Sequence, residues 1–230
     1  MEGFGNRCLG CRIKSLAASV LSFEELNLLC TGCHAIILRR GEFLFREGDQ
    51  AGHVAYIREG FIKLYRNHSG RKEQILDIVK KGRYIGLNHL IPDFENIHLS
   101  AKAIRKTTVC LIEKECFVNL LKSNGEFATR VIIALCQDGI FFVNRLLKNQ
   151  QQQLYGRLAE ALLYFSRVVY DKNPFTPDMT RAEMASFTGA SRESLTRALK
   201  DFQDSGFIEI RNKKIFICNE KMLSDLIEKG

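Results

Sequence analysis

Five of the six residues at 192–197 are polar or charged, among them Arg192, Glu193, Thr196 and Arg197. In an α-helix, spacings of four and five residues keep such side chains on one face. An arginine guanidinium can donate two parallel hydrogen bonds to O6 and N7 of guanine, and a carboxylate can accept one from N4 of cytosine. The combination predicts a short helix that reads base edges in the major groove of DNA.

The residues around this stretch supply the signals that start and end two short helices. Thr180 is a good N-cap, and Glu183, three residues later, can complete a capping box. Gly189 tolerates the left-handed conformation that ends a helix. Ser191 can cap a second helix that begins at Arg192. Two short helices joined in this way predict a helix-turn-helix.

Two short apolar runs follow the second helix. Residues 207–210 and 215–217 are rich in Phe and Ile and flank a turn at 212–214, which predicts a β-hairpin. A hairpin in this place forms the wing of a winged helix. The alternative is a helical hairpin that only packs within the protein. We favour DNA binding because a packing helix rarely places exposed Arg and Glu in its first turn beside a basic wing.

The predicted DNA contacts divide into base readers and residues that hold the backbone. Arg192 and Arg197 are expected to read guanines, and Glu193 to select against bases that lack a donor. Small hydroxyl and basic residues are expected to bind phosphates. The full predicted DNA-binding set is Thr180, Arg181, Ser191, Arg192, Glu193, Ser194, Thr196, Arg197, Lys200, Lys213 and Lys214.

Composition agrees with a polyanionic partner. The 230 residues carry a formal net charge of +8, which favours association with nucleic acid. The chain has no run of 18 apolar residues and no apolar signal core at its start, so we expect a cytoplasmic protein without a membrane span. Eight cysteines in such a chain indicate reduced thiols, metal or redox chemistry rather than structural disulfides.

A region of short, glycine-punctuated apolar runs precedes the helical part of the chain. The runs 42–46, 54–58, 61–66, 73–79 and 101–112 are rich in Ile, Val, Phe and Tyr. Several short strands at such regular spacing predict an antiparallel β-roll or jelly roll. The sequence as a whole therefore predicts an α+β fold.

A long helix is predicted from Asn124 to about Gln150. It carries two adjacent apolar seams, one through residues 133, 136, 140, 143 and 147 and the other through 132, 135, 139, 142 and 146. Two seams on so long a helix need two covering surfaces, so we expect one to cover the β-roll and the other a partner helix. The alternative is one wide buried face in a monomer.

The order of β-roll, long helix and winged helix resembles the Crp/Fnr family of bacterial transcription regulators. The resemblance rests on Gly-Glu-Phe-Leu-Phe-Arg-Glu-Gly at 41–48, Tyr-Gly-Arg-Leu-Ala-Glu-Ala-Leu-Leu at 155–163, and the Arg-Glu-x-x-x-Arg pattern of 192–197. It implies a homodimer on near-palindromic double-stranded DNA with half-sites ~34 Å apart. It also implies RNA polymerase as a partner.

This resemblance divides the chain into four parts. The predicted parts are 1–33, an arm with cysteines and a short helix; 34–123, a cyclic-nucleotide-binding-like sensor roll; 124–153, a dimerisation helix and hinge; and 154–230, a winged helix-turn-helix.

The family's cyclic-AMP binders carry Gly-Glu and Arg-Ser around the cyclic phosphate. Here Gly86 is followed by Leu87, and Ser100 is preceded by Leu99. Leucine cannot neutralise a phosphate, and burying that charge unpaired costs several kcal/mol, so the sequence disfavours cyclic AMP. Two nearby histidines could bind a smaller effector or a metal, or could simply be solvated. The candidate effector pocket is Gly86, Leu87, His89, His98, Leu99 and Ser100.

The cysteines are a second candidate sensor. The family's oxygen-sensing branch ligates a four-iron four-sulfur cluster with three N-terminal cysteines and one on the roll. Cys8, Cys11 and Cys110 match three of those positions, whereas the fourth falls on Ala17. An iron–sulfur cluster in which Cys30 or Cys33 takes the missing position is one alternative. The two Cys-x-x-Cys pairs at 8–11 and 30–33 also have the spacing of a four-thiolate zinc site or a dithiol switch. Metal-free thiols that pack as small hydrophobes are the third alternative. The candidate ligands are Cys8, Cys11, Cys30, Cys33 and Cys110.

Two rival classes of function remain to be weighed. One is a redox-, metal- or ligand-sensing module whose C-terminal domain docks a protein, against which the basic recognition face argues. The other is an enzyme, for which the sequence shows no Ser-His-Asp spacing, phosphate-binding loop or paired carboxylates in helical register. We therefore predict that the protein is a DNA-binding regulator and not an enzyme.

Overall fold

A computed structural model of the chain describes residues 14–50, 52–67, 73–90 and 96–229. It forms two compact units: Met1–Leu64 with Ile78–Ile140, and Tyr65–Asp77 with Phe141–Gly230. Strands dominate the first unit and helices the second, and the predicted α+β class is confirmed. The four predicted part boundaries stay predictions.

In the described part of the first 113 residues, eight strands form two four-stranded sheets, in the orders β1-β8-β3-β6 and β2-β7-β4-β5. The pairs β1/β8, β3/β8, β3/β6 and β2/β7 are antiparallel. The strands are β1 Cys33–Leu38, β2 Phe43–Phe45, β3 His53–Glu59, β4 Phe61–Arg66, β5 Gln74–Lys80, β6 Tyr84–Ile85, β7 Ser100–Ala103 and β8 Thr107–Glu113.

The apolar run 101–112 contains two strands, β7 and β8, which belong to different sheets. The chain crosses between the sheets in the turn 104–106. Thr107 stabilises this turn, since its hydroxyl donates to the Arg105 carbonyl at 2.9 Å and accepts from the Phe61 amide at 3.1 Å. Gly60 passes so close to Thr107 that an added Cβ would collide with it.

Three helices complete the first part of the chain: α1 Phe23–Thr31, α2 Lys114–Ser123 and α3 Gly125–Gln151. Ser22 and Glu25 form a capping box at α1, as their spacing predicts. The Asn124 side chain caps α3 by accepting a hydrogen bond from the Phe127 amide at 2.9 Å. Phe127 and Val131 of α3 are buried in the roll's hydrophobic core together with Phe117 of α2.

Both predicted apolar seams of α3 are largely exposed. Ile140 is 62 % exposed in the first seam, and Leu146 is 59 % exposed in the second. The expectation that one seam covers the β-roll is therefore wrong, because a third face, with Phe127 and Val131, makes that contact. The exposed large apolar residues of α3 are Ile132, Ile133, Leu135, Ile140, Val143, Leu146 and Leu147.

The second unit contains a helical domain and a two-stranded hairpin. Its elements after α3 are α4 Leu154–Tyr164, a π-helical turn Phe165–Val169, α5 Arg181–Thr188, α6 Arg192–Asp204, β9 Ile208–Arg211, β10 Lys214–Ile217 and α7 Glu220–Lys229. Leu158, Phe165, Phe175 and Phe202 are fully buried in it. Within the described residues, no helix has both the length and the apolar character needed to cross a membrane.

Candidate nucleic-acid interface

The local signals for the helix-turn-helix are formed as the sequence predicts. Thr180 accepts a hydrogen bond from the Glu183 amide at 3.2 Å, and the Glu183 carboxylate accepts one from the Thr180 amide at 2.8 Å. Gly189 ends α5 in the left-handed conformation with a φ of +65°. Ser191 caps α6 by accepting from the Ser194 amide at 3.0 Å. These caps satisfy backbone donors that the start of a helix leaves unpaired.

Helix α6 separates into a buried face and an exposed face. Leu195 and Leu199 are buried, at 0 % and 2 % exposed, in the hydrophobic interior beside Met184 and Ala185 of α5. The opposite face contains only polar and charged groups. Its exposed members as far as Lys200 are Arg192, Glu193, Ser194, Thr196, Arg197 and Lys200.

The hydroxyl groups of α6 are partly committed within the helix. The Thr196 hydroxyl donates its proton to the Arg192 carbonyl at 2.7 Å. Its methyl group and its acceptor lone pairs therefore remain for contacts with DNA. Such a methyl can contact the C5-methyl group of thymine. Ser191 is occupied in capping α6, and its hydroxyl also lies 3.0 Å from that of Ser194.

The wing has a tight two-residue turn. Arg211 pairs with Lys214 in the ladder, so the turn is Asn212–Lys213 and not the predicted 212–214. Both turn residues have positive φ, 49° and 64°, as a type I′ turn requires. Lys213 and Lys214 are exposed at and beside this tip, where a phosphate could reach them.

Arg181 differs from the rest of the predicted set. Its Nη1 atom is buried and has no hydrogen-bond partner among the described residues. Burial lowers the pKa of Arg181. In this conformation the guanidinium does not present that nitrogen to DNA.

Two residues of α4 that the sequence did not single out hold the recognition elements in place. Tyr155 donates to the Asp201 carboxylate of α6 at 2.5 Å. Arg157 donates through Nε to the Thr188 carbonyl at the end of α5, at 2.9 Å. The helix before the helix-turn-helix therefore fixes one end of α5 and the second half of α6.

Arg145 of α3 is a third positioning residue, and it also lies in the second unit. It donates to the carbonyls of Leu76, at 2.6 Å, and Phe187, and its guanidinium lies 3.4 Å from the centroid of the Phe187 ring. Burial lowers its pKa to about 10, which is still above physiological pH, so the side chain stays charged.

The segment Glu73–Asp77 of the same unit makes three further contacts with its helices. Ser186 of α5 donates to the Glu73 carbonyl and accepts from the Ile75 amide at 2.9 Å. The Tyr164 hydroxyl donates to the buried Asp77 carboxylate at 2.9 Å. These partners are distant in sequence from α5, and no local pattern marks them.

The predicted effector residues lie in different local settings of the first unit, and their role as a pocket stays a prediction. His89 is buried against Gly86, with Nδ1 lying 3.3 Å from the His53 carbonyl, and desolvation lowers its pKa. Ser100 is buried and accepts from the Glu47 amide at 3.1 Å. His98 is exposed and Leu99 is half-buried. Neither lines a cavity that the first unit forms next to α3.

That cavity has a volume of about 440 Å³ and includes Leu87 of the predicted set. Its polar lining comes from residues that the sequence did not single out. Arg83 pairs with Asp138 at 2.6 Å, and Arg130 pairs with Glu126 at 2.7 Å. Arg83, Arg130 and Asp138 line the cavity and give it groups that can hydrogen-bond a polar effector.

The five candidate metal-ligating cysteines fall into three groups. Cys8 and Cys11 lie outside the described residues. Cys33 and Cys110 line a second, smaller cavity, whereas Cys30, in the last turn of α1, does not. In the described ranges, no group of three or more His, Cys, Asp or Glu residues is arranged to hold a metal ion.

Two known domain families match this chain. Residues 36–124 match the cyclic nucleotide-binding domain, and residues 156–226 match the Crp-like helix-turn-helix domain. The chain is thus a DNA-binding regulator that joins a cyclic-nucleotide-binding-type roll to a helix-turn-helix.

Curated relatives and solved structures narrow this class. The transcriptional activator protein anr of Pseudomonas aeruginosa is 26% identical over 186 residues, covering 79% of this chain and 75% of that protein. The fumarate and nitrate reduction regulatory protein of Escherichia coli is 25% identical over 199 residues, covering 82% and 76%. FixK2 from Bradyrhizobium japonicum shares the fold, with a TM-score of 0.77 at 19% identity over 84% of this chain and 96% of that one. This chain belongs to the Crp/Fnr family of transcription regulators.

Proposed function

We propose that the protein reads a specific, near-palindromic DNA sequence with α6 and acts there, in the cytoplasm, as a signal-controlled transcription regulator. The observation that carries the proposal is the division of α6 into two faces. Its apolar residues are buried, while Arg192, Glu193 and Arg197 are all exposed. A helix that exposes a guanidinium–carboxylate–guanidinium set matches the hydrogen-bonding pattern of base edges.

The exposed stripe of α3 supports a homodimer. Together with Cys136, Gly139 and Phe142, its large apolar residues form two seams with alternating intervals of three and four, which is the pattern of a two-stranded coiled coil. Fully burying each such side chain contributes roughly 1.5–3 kcal/mol, so pairing along this stripe would be strongly favourable. A two-fold pair would present two copies of α6 to half-sites ~34 Å apart.

The signal is proposed to enter through the first unit. The 440 Å³ cavity with Arg83 and Arg130 is a candidate entry point for a polar effector. Cyclic AMP is disfavoured on separate grounds, because Leu87 and Leu99 stand where the family's cyclic-AMP binders carry charged residues. Effector binding would shift the population of two dimer arrangements rather than create a new one. Contact with RNA polymerase would then follow on promoter DNA.

An iron–sulfur cluster or zinc at the N-terminal cysteines is an alternative signal. Cys33 and Cys110 could each supply a thiolate, and thiolates are the usual ligands of both. Cys30 does not line their cavity, so Cys8 and Cys11 would have to complete the set. The absorption spectrum and the metal content of protein purified without oxygen test this alternative.

A binding assay decides between DNA reading and protein docking. Sites selected from a random duplex library should bind the protein far more tightly than random DNA, with an affinity that falls as salt rises. Lys122→Ala is a matched control for the removal of a positive charge from α6, as in Arg192→Ala, since Lys122 is an exposed lysine of α2 in the first unit. If neither selected nor random duplex binds, the exposed face of α6 serves a protein partner instead.

A further inference from the structure

A small cavity lies beside the sheet β1-β8-β3-β6 in the first unit. Its volume is about 50 Å³, which holds only one to a few water-sized groups. Most of its wall is apolar, and two thiols interrupt that wall. Its polar lining groups are Cys33, Cys110, Tyr56, Tyr84, Ser15 and Lys14.

The register of the sheet fixes how the two thiols are spaced. Cys33 of β1 pairs with Ile112 of β8, and Ala35 of β1 pairs with Cys110. Cys33 and Cys110 are thus diagonal neighbours, with one face of the sheet in common. Diagonal neighbours are about 7–8 Å apart, whereas the Cα atoms of a disulfide are usually about 4.4–6.8 Å apart. The pair is too widely spaced for a disulfide without backbone movement, but an ion between the sulfurs would bridge the gap.

The surroundings of the thiols favour a soft ion of low charge. Thiolate ligands select soft ions such as Cu(I) over hard oxygen-seeking cations. Two thiolates and one monovalent cation leave a net charge of −1, and the Lys14 side chain at the cavity can balance it. The Tyr84 hydroxyl lies 2.6 Å from that of Ser15, so one proton of this hydroxyl pair is available to be donated towards a thiolate.

We propose that Cys33 and Cys110 form a two-thiolate site for a soft monovalent ion, with Cu(I) as its chemical type. Binding forms two sulfur–copper bonds and releases two thiol protons to water, and no atom changes its oxidation state. The ion would tie β1 to β8 directly beneath α1, whose Leu26 and Leu29 also line the cavity. The site is independent of DNA reading by α6 and differs from a cluster, which takes four thiolates.

The test separates this pair from the N-terminal cysteines. In the full-length Cys8→Ser/Cys11→Ser chain, kept reduced and without oxygen, Cu(I) is titrated against bathocuproine disulfonate. We expect one equivalent to bind, with two sulfur ligands in the copper X-ray absorption spectrum. Adding Cys33→Ser or Cys110→Ala should weaken binding by about 100-fold or more, since even losing an outer-shell partner costs about 10–100-fold.

Two further cysteines serve as controls. Cys116→Ser removes a half-buried thiol and Cys218→Ser an exposed one, and neither should change the Cu(I) affinity. Circular dichroism and binding to the selected DNA site show that each variant is folded; if Cys110→Ala unfolds, Cys33→Ser alone decides. The proposal is overturned if the Cys8→Ser/Cys11→Ser chain no longer competes for Cu(I), or if Cys33→Ser leaves its affinity unchanged.

Discussion

Replacing Arg192 by Ala should change which DNA the protein prefers without changing how well it folds. Arg192 is exposed in the first turn of α6, where no buried contact depends on it. Surface substitutions of this kind usually alter the free energy of unfolding by less than about 0.5 kcal/mol. Any large effect of Arg192→Ala must therefore come from the DNA complex.

The size of that effect follows from the contact Arg192 would make. A bidentate arginine–guanine pair contributes about 1–3 kcal/mol of discrimination, which corresponds to roughly 5- to 150-fold in affinity. The loss should be confined to one base pair in each half-site. Lys213→Ala, at the wing tip, should instead weaken all duplexes alike and reduce the salt dependence by about one phosphate contact.

Fluorescence anisotropy with the selected site and its single-base variants measures both outcomes. Arg192→Ala should bind the four bases at one position with nearly equal affinity and keep its preferences elsewhere. Equal losses on the selected site and on random DNA would refute the assignment of Arg192 as a base reader. A fall in the unfolding free energy comparable with the binding loss would refute it as well.

Three other perturbations test separate parts of the structure. If two α3 helices pair along the stripe, diamide should link the two Cys136 thiols in a disulfide, seen as a dimer on non-reducing gels. The dimer band should be lost in Cys136→Ser and kept in Cys218→Ser. A chain that stays monomeric in solution would contradict the coiled-coil pairing. Arg145→Met should lower the unfolding free energy by about 3 kcal/mol in urea titrations and weaken DNA binding, because it leaves buried carbonyls without a charged donor. Arg145→Lys should restore little of either, since lysine lacks the planar, multiple-donor guanidinium group. Full rescue by lysine would show that charge alone matters. The pKa of His89 is lowered in the folded protein, so the free energy of unfolding should fall as the pH drops below 6.5, the ordinary pKa of histidine. The reason is that the unfolded chain then binds a proton that the buried ring resists. His89→Gln should flatten that part of the stability profile, and an unchanged profile would exclude His89 as its source.

The helix-turn-helix could be predicted closely because its rules are local. Thr180, Gly189 and Ser191 act on residues no more than four positions away, and each does so in the structure as the sequence predicts. The cap of the final helix is equally local, since Asn219 accepts a hydrogen bond from the Met222 amide at 3.0 Å. Such contacts depend on spacing and side-chain type alone.

The errors arose where distant residues decide the outcome. Within the run 101–112, Arg105 and Lys106 mark a polar break, but the sequence does not show that the chain changes sheets there. The hydroxyl of Thr107 and the close approach of Gly60 make that turn. Strands β1 and β6 were missed because β1 is only partly buried and β6 has two residues. Periodicity alone also could not show which face of α3 meets the roll.

The candidate site shows the same division. The exposed face of α6 follows from helical spacing, whereas Tyr155, Arg157 and Arg145 act on partners 31 to 69 positions away. Their roles depend on tertiary packing that one sequence does not reveal. The polar cavity at Arg83 and Asp138 was missed for this reason as well.

The uncovered apolar stripe along α3 also bears on how occupancy of a promoter varies with the number of protein copies in a cell. If both half-sites must be filled by one pair, promoter occupancy at low abundance grows with the square of the monomer concentration. A modest rise in expression or a modest fall in turnover would then be amplified at the promoter, even with the signal held constant.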